Sequence, residues 1–207
     1  KQAIPYLLDM IASVDNSTVL ASAYLKSGIS YYNTDQNEKA VVQLKSLIDK
    51  YPNAPEVDDA VDNLKAIYLD EGKSSDYISY MKQIGRPVEV QTEDSLTYAS
   101  ADVNATKLIE DKKNAAAIAV YNSYLSKFPE GNYKLDATYN LAQLLAAEKD
   151  TAGALKNYQV LVENAPNAYA ESASLYAARI TFFDLKDYSK AAFYYQHLFD
   201  LGSTAEN

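Results

Sequence analysis

The sequence predicts an all-α fold of repeated helix pairs, and three observations support this prediction. A short pattern of helical period recurs, most clearly in NEKAVVQLKSLIDKYP (37–52), NAAAIAVYNSYLSKFP (114–129) and TAGALKNYQVLVENAP (151–166). Each copy carries alanine at the same position and ends on proline. The matching alanines are 37 residues apart except for one longer step, and they are Ala3, Ala40, Ala117, Ala154 and Ala191. A fixed period in this range is the sequence signature of a helical solenoid.

Each unit of the period contains two amphipathic helices. In the segment 134–150 the apolar stripe has i, i+3, i+4 spacing and consists of Leu135, Thr138, Leu141, Ala142 and Leu145. The helix that follows carries a second stripe, and Pro166 ends it because proline cannot extend a helix. Neither helix can bury its stripe alone, so we expect the pairs to stack on one another. The alanine of the second helix, such as Ala154, would permit close approach at the helix crossing.

The period divides the chain into a half-unit and five full units. We predict the half-unit at 1–15 and helix pairs at about 21–52, 57–85, 95–129, 133–166 and 170–201. In the second full unit the alanine marker falls near Asp76. The segment GRPVEVQTEDS (85–95) is the long connector, and it is either an inserted loop, which we favour, or a bend between two subarrays. Because the chain opens inside an amphipathic pattern, we expect it to be a fragment of a longer protein.

The repeated positions resemble the tetratricopeptide repeat, a helix–turn–helix unit of about 34 residues. In the first full unit the matching residues are Tyr24, Gly28, Tyr31, Ala40, Leu44 and Pro52. Corresponding residues occur in the later units, so the resemblance covers nearly the whole chain. It implies a right-handed α-α superhelix of about 11 helices in antiparallel pairs. It also implies a single repeat array over residues 1–207.

Composition argues against several classes of function. The 207 residues include no cysteine, which excludes disulfides and thiolate metal sites. The net charge of −9 and the absence of lysine and arginine clusters make nucleic-acid binding improbable. The single histidine, His197, lies among aromatic residues and is expected to be packed rather than to bind a metal. We identify no catalytic, cofactor-binding or metal-binding residues, and no apolar run long enough to span a membrane. The sequence therefore predicts a protein that is not an enzyme and has no cofactor.

The resemblance also implies where a partner would bind. In this family the first helices of successive repeats line a concave surface that takes peptides or helices of other proteins. Carried over to this sequence, the groove residues are Leu25, Ile29, Tyr32, Lys65, Tyr68, Tyr139, Gln143, Tyr176 and Phe183. Asp102 falls on the same line in the middle unit. Tyrosine suits such a surface because it combines a large apolar ring with a hydroxyl group. The alternative is that these tyrosines only pack between repeats.

We therefore expect a non-catalytic protein–protein interaction scaffold. The alternative is a structural array that associates with itself through its open ends, and an enzyme that uses scattered carboxylates is a remote third. The units are similar to those of bacterial cell-envelope members of the family, and the tyrosine-rich and asparagine-rich composition is similar to that of repeat proteins from Bacteroides-like bacteria. This resemblance implies a periplasmic or outer-membrane-associated protein. A cytoplasmic scaffold would have the same composition.

Overall fold

The computed structural model describes residues 3–205, with side chains described up to residue 202. Over this part of the chain there are eleven α-helices, one five-residue π-helical segment and no strand. The helices are α1 (Ala3–Ser13), α2 (Ser17–Tyr32), α3 (Asn37–Lys50), α4 (Val57–Asp70), α5 (Ser74–Gln83), α6 (Val90–Glu110), α7 (Asn114–Lys127), α8 (Lys134–Ala147), α9 (Thr151–Glu163), α10 (Ala170–Arg179) and α11 (Tyr188–Ala205). The π-helical segment, Ile180–Asp184, directly follows α10. The predicted all-α class and the number of helices are confirmed.

The chain divides into two compact units, Lys1–Pro87 and Val88–Asn207, called here the N-terminal and C-terminal units. In the N-terminal unit each of the helices α1 to α5 packs on the next, and α2 also contacts α4. Its core contains the fully buried Leu44, Leu47, Leu64 and Ile67. The side chain of Asn16 caps α2 by accepting hydrogen bonds from the backbone N–H groups of residues 18 and 19.

The C-terminal unit contains α6 to α11, again with each helix packed on the next. Two clusters form its core. The first joins α6, α7 and α8 and includes Ala105, Tyr121 and Leu141. The second joins α8 to α11 and includes Tyr158 and Leu161. Tyrosines thus fill positions in this core that aliphatic residues occupy in the N-terminal unit.

The periodic alanines lie where the two helices of a pair cross. Ala40, Ala117 and Ala154 have no exposed surface, whereas Ala3 is exposed at the start of α1. In the second full unit the equivalent position belongs to Tyr77, one residue after the predicted Asp76, because it lies five residues after the left-handed turn residue as each alanine does. Tyr77 is buried, and its larger ring takes the place of the alanine methyl group there.

The turn inside each helix pair repeats one backbone geometry. Each such turn contains one residue with a left-handed backbone, at a φ of 54° to 70°, and these are Asp35, Gly72, Lys112, Lys149 and Lys186. In the first four turns the following residue donates its backbone N–H to a carbonyl five residues earlier, at 2.7 to 3.0 Å. This is the Schellman arrangement that satisfies the last carbonyls of a helix. The repeat is therefore expressed in the backbone as well as in the side chains.

The long connector is shorter than predicted. We expected it to extend from 85 to 95, but α6 begins at Val90. Pro87 excludes a helical conformation from the residue before it, which keeps the connector open at its start. The acidic residues after Glu89 are part of the helix, since Glu93 lies in the first turn, where a negative charge is favourable, and forms an ion pair of 2.7 Å with Lys127.

Candidate protein-binding groove

The predicted groove residues of the N-terminal unit lie on the first helices α2 and α4. Ile29 and Tyr32 are partly exposed, while Leu25 on the same helix is 8% exposed and packs inward. The Tyr32 hydroxyl donates a hydrogen bond to the carboxylate of Asp70 at the end of α4, and this bond raises the pKa of the phenol. The structure thus links the predicted residue Tyr32 of α2 to the end of α4 through a polar contact. Leu25 contributes little surface to a ligand.

On α4, Lys65 is partly exposed and Tyr68 is 8% exposed. The ring of Tyr68 is 6.5 Å from that of Tyr77, and the Lys45 ammonium is 5.5 Å from its centre. Lys45 approaches the ring of Tyr80 more closely, at 4.2 Å. Tyr68 therefore serves mainly to pack α4 on its neighbours, as the alternative interpretation of the tyrosines expects.

An open cleft lies beside the predicted residues of α2. It has a volume of about 450 Å³ and is lined by Ala3, Tyr6, Leu7, Lys26, Ile29 and Ser30. Ile29 is the predicted groove residue among them, and Tyr6 on α1 is 75% exposed. Helices α1 and α2 thus form an apolar recess whose lining includes one lysine.

In the C-terminal unit the predicted residues lie on α8, α10 and the π-helical segment. Tyr139 and Gln143 are partly exposed on α8, and so is Tyr176 on α10. Phe183 is 64% exposed and contacts Phe182 edge-on, with their ring centres 4.9 Å apart. Each of the two tyrosines has one ring face covered by another tyrosine. Tyr139 stacks on Tyr169 at 4.5 Å, and Tyr176 stacks on Tyr158 at 5.3 Å.

A second layer of tyrosines supports this face, and the sequence analysis did not include it. Tyr98 stacks on Tyr133 with ring centres 4.7 Å apart and an angle of 6° between the planes. The Asn140 side-chain amide donates to the hydroxyls of Tyr98 at 3.4 Å and Tyr121 at 3.2 Å, and the Tyr121 hydroxyl donates to Asp102 at 2.8 Å. Burial raises the pKa of Tyr98 above its ordinary value, and the charges of Asp102 and Asp136 raise it further.

Two carboxylates lie within this layer. Asp102 was expected on the groove line, whereas Asp136 was missed because it lies in the first turn of α8, outside the positions that the family rule assigns to the groove. Asp136 accepts a hydrogen bond of 2.7 Å from the Tyr169 hydroxyl, and burial together with this bond raises the pKa of Tyr169 to about 12. The sequence offered one signal for Tyr133 and Tyr169, since each directly precedes a first helix.

Metal-ligating residue types are dispersed over the described part of the chain. Within it, no group of three or more histidine, cysteine, aspartate or glutamate residues could hold a metal ion. His197 is partly buried, with Nδ1 2.9 Å from the hydroxyl oxygen of Ser174 and its ring stacked against Phe193. None of the described helices has both the length and the hydropathy of a membrane span.

The stacked helix pairs define a helical-repeat protein. Residues 22–54 and 136–168 match the family model of the tetratricopeptide repeat. These segments correspond to α2–α3 and α8–α9, so each unit of the chain contains one helix pair that matches the family model. Repeats of this family generally mediate protein–protein interaction and are typically non-enzymatic.

Two solved structures are similar to the chain over most of its length. One contains the nearly identical TPR-like repeats of a Podosopora anserina protein described as a kinesin light chain, with 12% identity, a TM-score of 0.44 and coverage of 94% of this chain and 100% of the other. The other is a single-substitution variant of it, with 13% identity, a TM-score of 0.44 and coverage of 93% and 99%. No curated protein sequence matches the chain.

Proposed function

We propose that the chain is a non-catalytic scaffold that binds a peptide or helix of a partner protein on the faces formed by its first helices. The observation that carries the proposal is the row of half-covered tyrosines on α8 and α10. Tyr139 and Tyr176 each stack one ring face on another tyrosine and remain partly exposed. A rigid aromatic ring that is held on one side loses little conformational entropy when a ligand covers the other side.

The test is affinity capture with the full chain and three variants. We expect Tyr139→Ala combined with Tyr176→Ala to abolish capture of the partners that the unmodified chain retains, with helicity unchanged by circular dichroism. Gln143→Lys places a charge on the same face without removing a packed ring, and it should also weaken capture. The control is Tyr188→Ala with Tyr195→Ala, because both tyrosines are exposed on α11. Capture that survives in the groove variants would contradict the proposal.

Self-association is the second candidate function, and a set of exposed aromatic residues favours it. Phe183, Tyr188, Phe193 and Phe199 are 59% to 71% exposed, all on or next to α11. Large exposed apolar patches mark interaction sites on soluble proteins. Light scattering over a range of concentrations tests this function. Growth in mass that Phe193→Ser with Phe199→Ser prevents would support it, and a constant monomer mass would exclude it.

For the compartment, we propose the periplasm or the outer membrane of a Bacteroides-like bacterium. The proposal rests on the resemblance of the repeats to cell-envelope members of the family, and a cytoplasmic scaffold is the alternative. Fractionation of cells that express the parent protein, followed by immunoblotting, separates the two. Recovery with cytoplasmic markers would contradict the envelope assignment.

A further inference from the structure

The C-terminal unit holds two carboxylates in fixed positions on neighbouring first helices. Asp102 on α6 accepts from the Tyr121 hydroxyl at 2.8 Å, and Asp136 on α8 accepts from the Tyr169 hydroxyl at 2.7 Å. Both bonds end on Oδ1 and come from neutral donors. Both aspartates are partly exposed. Each carboxylate is therefore oriented by the protein and keeps its negative charge uncompensated.

No cation of the described residues neutralises either group. The ion pairs of the C-terminal unit involve Glu93, Asp111, Glu130 and Asp187, and neither Asp102 nor Asp136 takes part in one within residues 3–202. A carboxylate that is taken partly out of water gains from a positive partner. The chain as a whole carries a net charge of −9. Charge complementarity on this face thus favours a positively charged ligand.

Tyrosine rings flank the two carboxylates. Tyr98 stacks on Tyr133, and Tyr139 stacks on Tyr169. The Tyr169 hydroxyl bonds Asp136, and Asn140 joins the Tyr98 hydroxyl to that of Tyr121, which bonds Asp102. The face of a tyrosine ring attracts a cation within about 6 Å of its centre. The N-terminal unit already uses this contact internally, with the Lys45 ammonium 4.2 Å from the ring centre of Tyr80. Carboxylates beside aromatic faces form a recognition surface for lysine or arginine.

A buried hydroxyl group next to this face provides a second, independent observation. Tyr158 has no exposed surface and its hydroxyl has no hydrogen-bond partner among the described residues. The ring of Tyr158 stacks on that of Tyr176, a groove tyrosine, with the ring centres 5.3 Å apart. Buried polar groups are nearly always paired. An unpaired buried hydroxyl behind a groove tyrosine therefore marks this face as a candidate ligand site.

From these contacts we infer that the C-terminal unit binds an extended segment of a partner protein that carries lysine or arginine, with its side-chain cation between Asp102 and Asp136. The inference rests on the proposed scaffold function and names the chemistry of its partner. Arginine suits the site better than lysine because its planar guanidinium can stack on a tyrosine ring while it donates to a carboxylate.

The test begins with a displayed library of random nonapeptides selected against the full chain. We expect the enriched peptides to contain arginine or lysine at a preferred position. One enriched peptide is then labelled with fluorescein and compared by anisotropy with the same peptide carrying citrulline in place of arginine. Citrulline keeps the size and loses the charge, and we expect it to bind at least about tenfold more weakly.

Variants of the two aspartates locate the binding. Asp102→Asn and Asp136→Asn keep an acceptor for the tyrosine hydroxyl and remove the charge, and each should weaken arginine-peptide binding by about three- to tenfold. The matched control is Glu110→Gln with Glu163→Gln, two exposed residues that change the net charge by at least as much. We expect this control to change binding less than twofold, because distant surface charges are screened by salt.

The outcomes distinguish this inference from the proposed function. Equal binding of the arginine and citrulline peptides, or equal effects of the aspartate and glutamate variants, would overturn the inference. If Tyr139→Ala with Tyr176→Ala still abolished binding in that case, the scaffold function would stand with a neutral or acidic partner. If no peptide is enriched, and if the groove variants capture partners as well as the unmodified chain does, both the inference and the scaffold function are overturned.

Discussion

Tyr121 and Tyr158 occupy the same position of α7 and α9, 37 residues apart, yet only the Tyr121 hydroxyl has a hydrogen-bond partner. Tyr121 donates to Asp102 and accepts from Asn140. One period later these two positions belong to Tyr139 and Ala177, and neither forms a hydrogen bond with Tyr158. The repeat thus keeps the ring and changes the polar residues around it.

This difference predicts opposite effects of one chemical change at the two positions. Tyr121→Phe should lower the free energy of unfolding by about 1–2 kcal/mol, because Asp102 and Asn140 lose a partner. Tyr158→Phe should leave stability within about 0.5 kcal/mol or raise it, since it removes an unpaired buried hydroxyl. Urea unfolding followed by circular dichroism measures both. Equal losses for the two variants would contradict the assignment.

The left-handed turn residues predict a gain in stability from glycine. A residue other than glycine pays roughly 1–2 kcal/mol of strain for a left-handed backbone. Glycine avoids this strain but loses more chain entropy on folding. We expect Lys112→Gly and Lys149→Gly each to raise the free energy of unfolding by about 0.5–1 kcal/mol. Gly72→Ala, at the equivalent turn, should lower it by about 1 kcal/mol. A loss of stability in both lysine variants would be incompatible with the turn geometry.

The buried Asp94 predicts a sensitive site at the start of α6. Its side chain is 4% exposed and accepts from the Tyr124 hydroxyl at 2.5 Å and from the Asn132 backbone N–H at 2.7 Å. Tyr124→Phe removes one donor from a buried carboxyl group, and we expect it to cost about 1–3 kcal/mol. Tyr133→Phe, which removes a more exposed hydroxyl, is the control. Thermal unfolding that gave the same loss for both would argue against this role of Asp94.

The buried tyrosines predict a loss of stability at alkaline pH. Burial raises the pKa of Tyr80, Tyr98, Tyr121 and Tyr124 well above the ordinary value of 10.0. The folded chain therefore favours the neutral phenol, so this stability is complete below about pH 10 and is lost as the pH rises toward the folded-state values. Each such tyrosine should reduce the free energy of unfolding by up to about 1.4 kcal/mol per pH unit in this range.

Urea unfolding at about pH 9 and about pH 11.5 measures this loss, and ultraviolet absorbance of the phenolate follows the ionisation directly. We expect a group of tyrosines to ionise only as the chain unfolds. Ionisation of all 19 tyrosines near pH 10 with the helices intact would show that the raised values are wrong.

The alanine at the helix crossing predicts intolerance to larger side chains. Ala154 on α9 has no exposed surface and belongs to the core cluster of α8 to α11. Ala154→Leu should overpack this crossing and cost about 1–3 kcal/mol. The control is Ala152→Leu on the exposed side of the same helix. An unchanged melting temperature for Ala154→Leu would place the crossing elsewhere.

Much of the fold could be predicted from the sequence because the period records packing directly. The alanines at 37-residue spacing mark close helix crossings, and four of the five predicted alanines lie in helix-packing positions. The predicted start of α6 was wrong because a charged, non-periodic stretch such as 90–95 resembles a loop by its pattern alone. Its stability comes from Asp94 and Glu93, whose partners Tyr124 and Lys127 are on another helix.

The groove could be predicted only in part, since burial depends on neighbours that the period does not specify. Leu25 lies on the same predicted groove line as Ile29, and Tyr68 on the same line as Lys65. The side chains of Leu25 and Tyr68 nevertheless pack inward. The family rule considers only first helices, and so it omits Tyr121 and Tyr158, which extend from second helices to groups on the first. The hydrogen bonds that hold Asp102 and Asp136 depend on that second layer.

The shared geometry of the turns has a practical consequence for protein engineering. Since Lys112, Lys149 and Lys186 adopt nearly the same backbone conformation at equal spacing, a cut placed after each of them yields blocks of equal length with compatible ends. Such blocks could be duplicated, exchanged or deleted as cassettes without redesigning the junctions. A chimera that duplicates residues 113–149 should extend the array by two helices, a second copy of α7 and of α8. The number of cassettes would then determine the number of binding positions.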